Sequence, residues 1–173
     1  NNGEYRDEDG WVPVVFDDDY EMELVAGVNI LWTSASVAGI VAAGMGSPSF
    51  RCHTFDARAN GYARNEACVA AVLQMGSHCD AIGGIVTQQD GRSASLTAPN
   101  GQEQQTLLTS ALADAGIQPL HGGYIEAHGT GTALGDPIEA GAMSVVYLAP
   151  QDQLEVSLGI GSWKANAGHT EPG

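Results

Sequence analysis

Two short apolar runs of this chain each lead into a glycine-rich loop that carries a histidine. One run is followed by His128-Gly129-Thr130-Gly131-Thr132, and the other by Lys164-Ala165-Asn166-Ala167-Gly168-His169. Glycines let a bound ligand approach the backbone, and threonine hydroxyls can donate or accept hydrogen bonds. Because functional side chains of open α/β sheets gather at the carboxyl ends of strands, this pattern favours a functional role for both histidines over a structural one.

Apolar runs and amphipathic segments alternate along the chain, and this alternation predicts an α/β layered domain with a largely buried sheet. The predicted strands are 24–31, 69–73, 81–87, 123–127 and 154–161. The continuous apolar run 24–31 is typical of a strand buried on both faces. The predicted helices are 35–45, 102–115 with Gly116 as its C-terminal glycine, and a third from Asp136 as N-cap, with Pro137 in its first turn, to about Leu148.

Composition excludes several classes of function. The formal net charge of −15 argues against nucleic-acid binding and against an anionic membrane surface, and no apolar stretch is long enough to predict membrane insertion. The three cysteines, Cys52, Cys68 and Cys79, form neither a disulfide framework nor a common zinc spacing, so we expect no metal. They are typical of small thiols in a reducing intracellular compartment; cytoplasm and plastid both remain open.

Residues 1–21 form a region apart from the predicted globular domain at 22–173. Two acidic clusters flank the apolar segment 11–16, which contains Pro13. An extended segment that docks on a partner and a disordered acidic terminus are both compatible with this pattern.

The histidine segments, taken in order, resemble a known family. Glu126-Ala127-His128-Gly129-Thr130-Gly131-Thr132-Ala133-Leu134-Gly135-Asp136-Pro137 and Lys164-Ala165-Asn166-Ala167-Gly168-His169-Thr170-Glu171 resemble the two histidine motifs of β-ketoacyl synthases, the condensing enzymes of polyketide and fatty-acid assembly. Segments 24–29, 51–57, 61–66, 89–93 and 96–101 also match the family in the right order. The resemblance therefore covers residues 22–173.

This resemblance implies a thiolase-like αβαβα fold, of which the chain holds the end of the first half and most of the second. It implies that His128 and His169 help to decarboxylate a malonyl unit and steady the enolate or thioester oxygen, with electrostatic support from Lys164. It also implies that Thr130 and Thr132 bind the pantetheine arm of an acyl carrier protein. No cofactor is implied beyond this phosphopantetheine, which carries the substrates. If the fold is that of the family, the two imidazoles face one another across a shared cleft.

The chain departs from the family at the nucleophile. The family's cysteine lies in an Asp-Thr-Ala-Cys-Ser-Ser-like turn just before the stretch that matches Met22, where this chain has an acidic segment without cysteine. We therefore expect no condensing activity from the chain alone. It is either an incomplete piece of an active condensing enzyme or a degenerate relative with an assembly role. An unrelated hydrolase is disfavoured because no Gly-x-Ser-x-Gly elbow is present.

The predicted fragment lacks most of the family's first half, so apolar surface on its strands should be left uncovered. We expect that surface to be covered by the remainder of the synthase, by a second copy, or by neighbouring subunits of a larger complex.

Overall fold

The computed structural model describes residues 22–74, 81–93, 98–119, 123–148 and 158–171. Four strands and four helices lie within these ranges: β1 (Met22–Asn29), α1 (Ser34–Ala42), β2 (Ala67–Gln74), α2 (Gly101–Ala115), β3 (Tyr124–Glu126), α3 (Gly135–Tyr147), β4 (Gly159–Gly161) and α4 (Lys164–Ala167). The mixture of strands and helices is the predicted α/β class. The predicted acidic tail, 1–21, lies outside the described residues. None of the helices in the described ranges is long and apolar enough to cross a membrane.

Strands β1 and β2 form an antiparallel two-stranded sheet, with Met22 opposite Gln74 and Asn29 opposite Ala67. The prediction of strands here is confirmed, but the prediction that the first is buried on both faces is wrong. Leu24 on β1 is 72% exposed and Val72 on β2 is 64% exposed. The reason is that each strand has the other as its sheet neighbour, and two strands alone cannot enclose their own faces.

The predicted strand 81–87 is irregular backbone, so this prediction is also wrong. The segment lies against the end of α2 instead of a strand. The backbone N–H of Ile85 donates to the Asp114 carboxylate at 2.9 Å, and a Cβ at Gly84 would stand 2.7 Å from the nitrogen of Ala115. A side-chain acceptor on the helix thus takes the place of a ladder partner.

Helices α2 and α3 pack together and contribute most of the buried apolar side chains in the described ranges. Leu112 of α2 and three residues of α3, Ala142, Met143 and Val146, are buried. The Asn100 side chain caps α2 by accepting from the backbone nitrogens of Gln102 and Glu103, and Gly116 ends it in the left-handed conformation, as predicted.

Helix α3 begins two residues before the predicted start. Gly135 is its first residue, and the N-cap position is held by Leu134, so the prediction of Asp136 as N-cap is wrong. Asp136 lies in the first turn and turns its carboxylate back towards the preceding loop. Pro137 is in the first turn, as predicted.

Strands β3 and β4 are parallel, with Tyr124 opposite Gly159 and Glu126 opposite Gly161. Both therefore end at the same edge, where the histidine-bearing loops begin. The predicted strand 154–161 is observed at its end, whereas 154–157 lie outside the described residues.

A third segment completes this edge. The backbone of 63–65 runs beside His169, whose N–H donates to the Ala63 carbonyl at 2.7 Å and whose carbonyl accepts from the Asn65 N–H at 2.9 Å. The buried Asn29 at the end of β1 donates to the Asn65 carbonyl at 2.6 Å, which connects the antiparallel sheet to this edge.

Candidate active site

The two histidines named from the sequence lie next to each other. The ring centroids of His128 and His169 are 5.5 Å apart and the planes are nearly perpendicular, at 85°. This confirms the predicted convergence of the two imidazoles. The Tyr62 ring also contacts His169, with centroids 5.2 Å apart. The site therefore draws on three segments distant in sequence: the loop after β3, the turn after α4, and the segment before β2.

Backbone hydrogen bonds to a carboxylate hold the His128 loop. The N–H groups of His128 and Gly129 donate to the two oxygens of Glu139 on α3, at 2.7 and 2.8 Å. The carbonyls of the same residues accept from the hydroxyls of Ser162, at 3.3 Å, and Thr54, at 2.5 Å. Because both donors and both acceptors of this turn are bound, the imidazole is carried on a fixed backbone.

The next turn is organised by buried Asp136. One carboxylate oxygen accepts from the N–H groups of Gly131 and Thr132, at 3.0 and 3.2 Å, and the other accepts from Phe55 at 2.7 Å. Gly131 has a φ of +79°, and a Cβ there would lie 2.5 Å from the His53 nitrogen. Only glycine fits this position, since it needs both the left-handed backbone and the absence of a side chain.

The threonines predicted to bind pantetheine lie on this loop, with their hydroxyl oxygens 3.4 Å apart. Thr130 is buried. The Thr132 hydroxyl accepts from the Gly135 N–H at 3.1 Å and so satisfies the first backbone donor of α3. Thr132 thus has an observed structural role at the helix terminus.

Lys164 is the first residue of α4. The N–H of its neighbour Trp163 donates to the Glu126 carboxylate at 2.5 Å, and its own N–H donates to the Ser162 hydroxyl at 3.3 Å. These bonds join the end of β3 to the start of α4. They therefore fix the backbone of Lys164 relative to the edge of the sheet where the histidine loops begin. Glu126 and Asp136 thus both hold loops of this site through backbone N–H groups.

Desolvation and positive charge lower the pKa of both histidines. Desolvation is the larger cause for His169, followed by Lys164 and His128, and together they lower its pKa to about 4. For His128, desolvation and then Lys164 lower the pKa, partly opposed by Glu139 and Asp136. Both imidazoles are therefore neutral at pH 7 in this arrangement.

A hydrogen bond fixes the tautomer of neutral His169. The backbone N–H of Glu171 donates to Nδ1 of His169 at 3.0 Å, so that nitrogen is the acceptor. A neutral imidazole carries its single proton on the other nitrogen, Nε2. His169 therefore offers one N–H donor through Nε2 without carrying a charge, which suits the stabilisation of a developing oxyanion.

Sequence reasoning missed Glu139, Tyr62 and Ser162. Glu139 follows Asp136 by three residues on the same helix, so an acid one turn into α3 was an available signal for a loop anchor. No comparable signal existed for Tyr62, whose contact with His169 depends on long-range packing. Across the described ranges, no group of three or more His, Cys, Asp or Glu side chains is placed to hold a metal ion.

Family models match nearly the whole chain. The C-terminal domain of β-ketoacyl synthase matches residues 79–173, and the N-terminal domain matches residues 15–78. The chain therefore belongs to the β-ketoacyl synthase family, and holds parts of both halves of the ketosynthase domain, as the sequence motifs predicted.

Polyketide synthases and their ketosynthase domains are among the relatives. The chain is 38% identical over 159 residues to the highly reducing polyketide synthase pkhB of Emericella nidulans, covering 87% of this chain and 6% of that protein. It is 42% identical over 163 residues to a phenolphthiocerol/phthiocerol polyketide synthase of Mycobacterium tuberculosis, covering 88% and 8%. It thus spans under a tenth of these curated relatives.

Solved ketosynthases share the fold. The ketosynthase from module 6 of the Bacillus subtilis bacillaene synthase aligns with a TM-score of 0.76 at 37% identity, over 88% of this chain and 29% of that one. The oxazolomycin ketosynthase OzmH KS7 of Streptomyces albus aligns with a TM-score of 0.79 at 30% identity, over 86% and 27%. The chain is thus part of a thiolase-like α/β domain, as predicted.

Proposed function

We propose that this chain supplies the histidine and lysine part of a condensing site for decarboxylative Claisen condensation of acyl and malonyl thioesters. The observation that carries the proposal is the pairing of His128 and His169, with ring centroids 5.5 Å apart, beside a lysine that lowers the pKa of both. Membership in the ketosynthase family supports the same reaction class.

In the proposed reaction the bond between C2 of the malonyl unit and its carboxylate breaks and releases CO2. The bonding electrons form an enolate whose negative charge rests on the thioester oxygen. The Nε2–H of neutral His169 donates to this oxygen, His128 provides the second contact, and Lys164 adds a positive field. The enolate carbon then attacks the acyl thioester carbonyl and expels a thiolate, which leaves a β-ketoacyl thioester.

Substrates in this proposal arrive on the phosphopantetheine arm of an acyl carrier protein, and no other cofactor is needed. Thr130 and Thr132 would hydrogen-bond that arm through their hydroxyls. Support comes from their place on the same loop as His128, with their hydroxyl oxygens 3.4 Å apart. Thr132 would use its hydroxyl proton, because its oxygen already accepts from Gly135.

Covalent condensation also needs a thiolate that accepts the acyl group. Buried Cys52 is poorly placed for this, because its sulfur accepts from the Ala63 N–H at 3.3 Å and contacts the Ala63 carbonyl at 3.8 Å. Cys68 lies on β2 opposite Val28, within a strand and not in a turn of the kind that holds the family's nucleophile. Cys79 lies outside the described residues, and its sequence surroundings do not resemble the family's nucleophile turn. We therefore propose that these 173 residues, taken alone, do not condense.

Incubation with acyl- and malonyl-carrier protein tests this part of the proposal. We expect no β-ketoacyl product from the chain by itself, measured by mass spectrometry of the carrier-bound thioester. A β-ketoacyl product from the chain alone would overturn it.

A second candidate function, assembly within a larger synthase, is favoured by the exposed sheet. Leu24, Val28, Val69 and Val72 are between 56% and 72% exposed on β1 and β2. Apolar strands of this kind require a cover, which we propose is the remainder of the synthase, a second copy or a neighbouring subunit. Sedimentation velocity tests it: we expect self-association or aggregation of the isolated chain, whereas a monodisperse, cooperatively unfolding monomer would contradict it.

A further inference from the structure

A cavity of about 230 Å³ lies beside the histidine pair and is lined by three cations. The whole chain has six lysines and arginines against 21 acids, yet Arg51, Arg64 and Lys164 all line this one space. The other lining side chains from the described residues are neutral and include two amides, Asn65 and Asn166. Half of the positive charge of an acidic protein is thus gathered around one cavity.

These cations are incompletely neutralised. Arg64 contacts the Glu171 carboxylate through one terminal nitrogen, but its buried Nε has no hydrogen-bond partner in the described part of the chain. Arg51 and Lys164 make no ion pair with any described carboxylate. The buried Nε–H of Arg64 without a partner is unfavourable unless an acceptor occupies the space. Exposed Arg51 and half-buried Lys164 add two positive charges, so an anionic acceptor is favoured over a neutral one.

We propose that this cavity binds a compact oxyanion, of the carboxylate or the tetrahedral class. Guanidinium groups recognise both through paired N–H donors, and an ammonium adds a point charge. With liquid water at about 30 Å³ per molecule, the space of about 230 Å³ corresponds to roughly eight waters, or to one such anion with part of its hydration shell. The cavity shares Lys164 with the histidine pair, so a bound anion would weaken the positive field on His169.

Binding can be measured by NMR of the full 173-residue chain, in whatever oligomer it forms. The Nε–H resonance of Arg64 is followed at pH 7.5 while sodium malonate or sodium sulfate replaces sodium chloride at constant ionic strength. We expect a saturable shift with at least one of the two probes. Malonate alone would indicate a carboxylate site, sulfate alone a tetrahedral-oxyanion site, and both a general oxyanion site.

Two arginine variants make the test specific. Arg51→Gln removes an exposed member of the cavity and should weaken binding about 10-fold, the loss of one charge-assisted hydrogen bond. Arg92→Gln makes the same change of charge outside the cavity and should alter the affinity less than about 2-fold, because distant exposed charges are screened. Matching near-UV circular dichroism establishes that both variants keep the fold.

The proposal is overturned if neither probe gives a saturable shift, or if Arg92→Gln weakens binding as much as Arg51→Gln. This assay measures binding and not turnover. A chain without condensing or decarboxylating activity could therefore still bind the anion, and a chain that does not bind the anion could still be active.

Discussion

Replacing Glu139 by alanine should release the loop that carries His128. Its two oxygens accept from the backbone N–H groups of His128 and Gly129, at 2.7 and 2.8 Å. Hydrogen bonds to a charged group contribute about 1.5–3 kcal/mol each, and the lower value applies because this site is partly open to solvent. We therefore expect Glu139→Ala to lower the free energy of unfolding by about 3 kcal/mol, and Glu139→Gln, which keeps one acceptor, by about half as much.

Urea unfolding of each variant measures these values, with Glu23→Ala on β1 as the control for a glutamate without a described hydrogen bond. His128 provides a second reading. Glu139 raises the pKa of His128, so Glu139→Gln should lower the pKa measured by NMR titration of that ring. Surface substitutions usually change the free energy of unfolding by no more than about 0.5 kcal/mol. If the free energies of unfolding of Glu139→Ala and Glu23→Ala differ by less than this, the anchoring role of Glu139 is refuted.

Three further predictions concern the same site. Asp136→Asn should destabilise the chain by about 3 kcal/mol in urea, because a buried acceptor of three backbone N–H groups gains an NH2 donor that faces other donors; a loss below about 0.5 kcal/mol would contradict this. Gly131→Ala should prevent folding or lower the free energy of unfolding by more than about 3 kcal/mol, because its Cβ would overlap the backbone of His53. Gly91→Ala is the control, since Gly91 has a positive φ but open space around it, and should lower the free energy of unfolding by about 1 kcal/mol. Equal losses in the two variants would argue against close packing at Gly131. His169 stays neutral in the folded chain down to about pH 4, but in the unfolded chain it is protonated below pH 6.5. Its contribution to the free energy of unfolding should therefore fall as the pH drops from 6.5 to about 4 and then level off. If His169→Gln leaves the pH dependence of the free energy of unfolding unchanged, the lowered pKa of His169 is contradicted.

Local signals in the sequence were sufficient for much of this fold. The end of α2 was predicted from Gly116, and β3 was predicted from a short apolar run that ends at a histidine. The convergence of His128 and His169 was implied by the family resemblance, and the parallel strands β3 and β4, which end at one edge, account for it. Their resemblance to family motifs then supplied the reaction class.

Other features depended on partners that a single segment does not reveal. The run 81–87 has the composition of a strand, but its Ile85 N–H is bound by Asp114 of α2 in place of a neighbouring strand. The apolar pattern of 24–31 predicted burial, yet burial requires a covering layer, and two paired strands provide none. Glu139 and Tyr62 were missed because their contacts to the histidine loops arise only after α3 and the segment before β2 have packed.

We propose above all that His128 and His169 stabilise the enolate formed when a malonyl thioester loses CO2. Release of labelled CO2 from malonyl-carrier protein by the folded chain tests it most directly, because this half-reaction needs no thiolate nucleophile. We predict measurable release that falls about 100-fold in His169→Ala, the loss expected for one oxyanion donor. His53→Ala serves as the matched control, since its ring bonds Ser49 outside the pair, and should leave the rate unchanged. Equal release by wild type and His169→Ala, or none from a folded chain, would contradict the account.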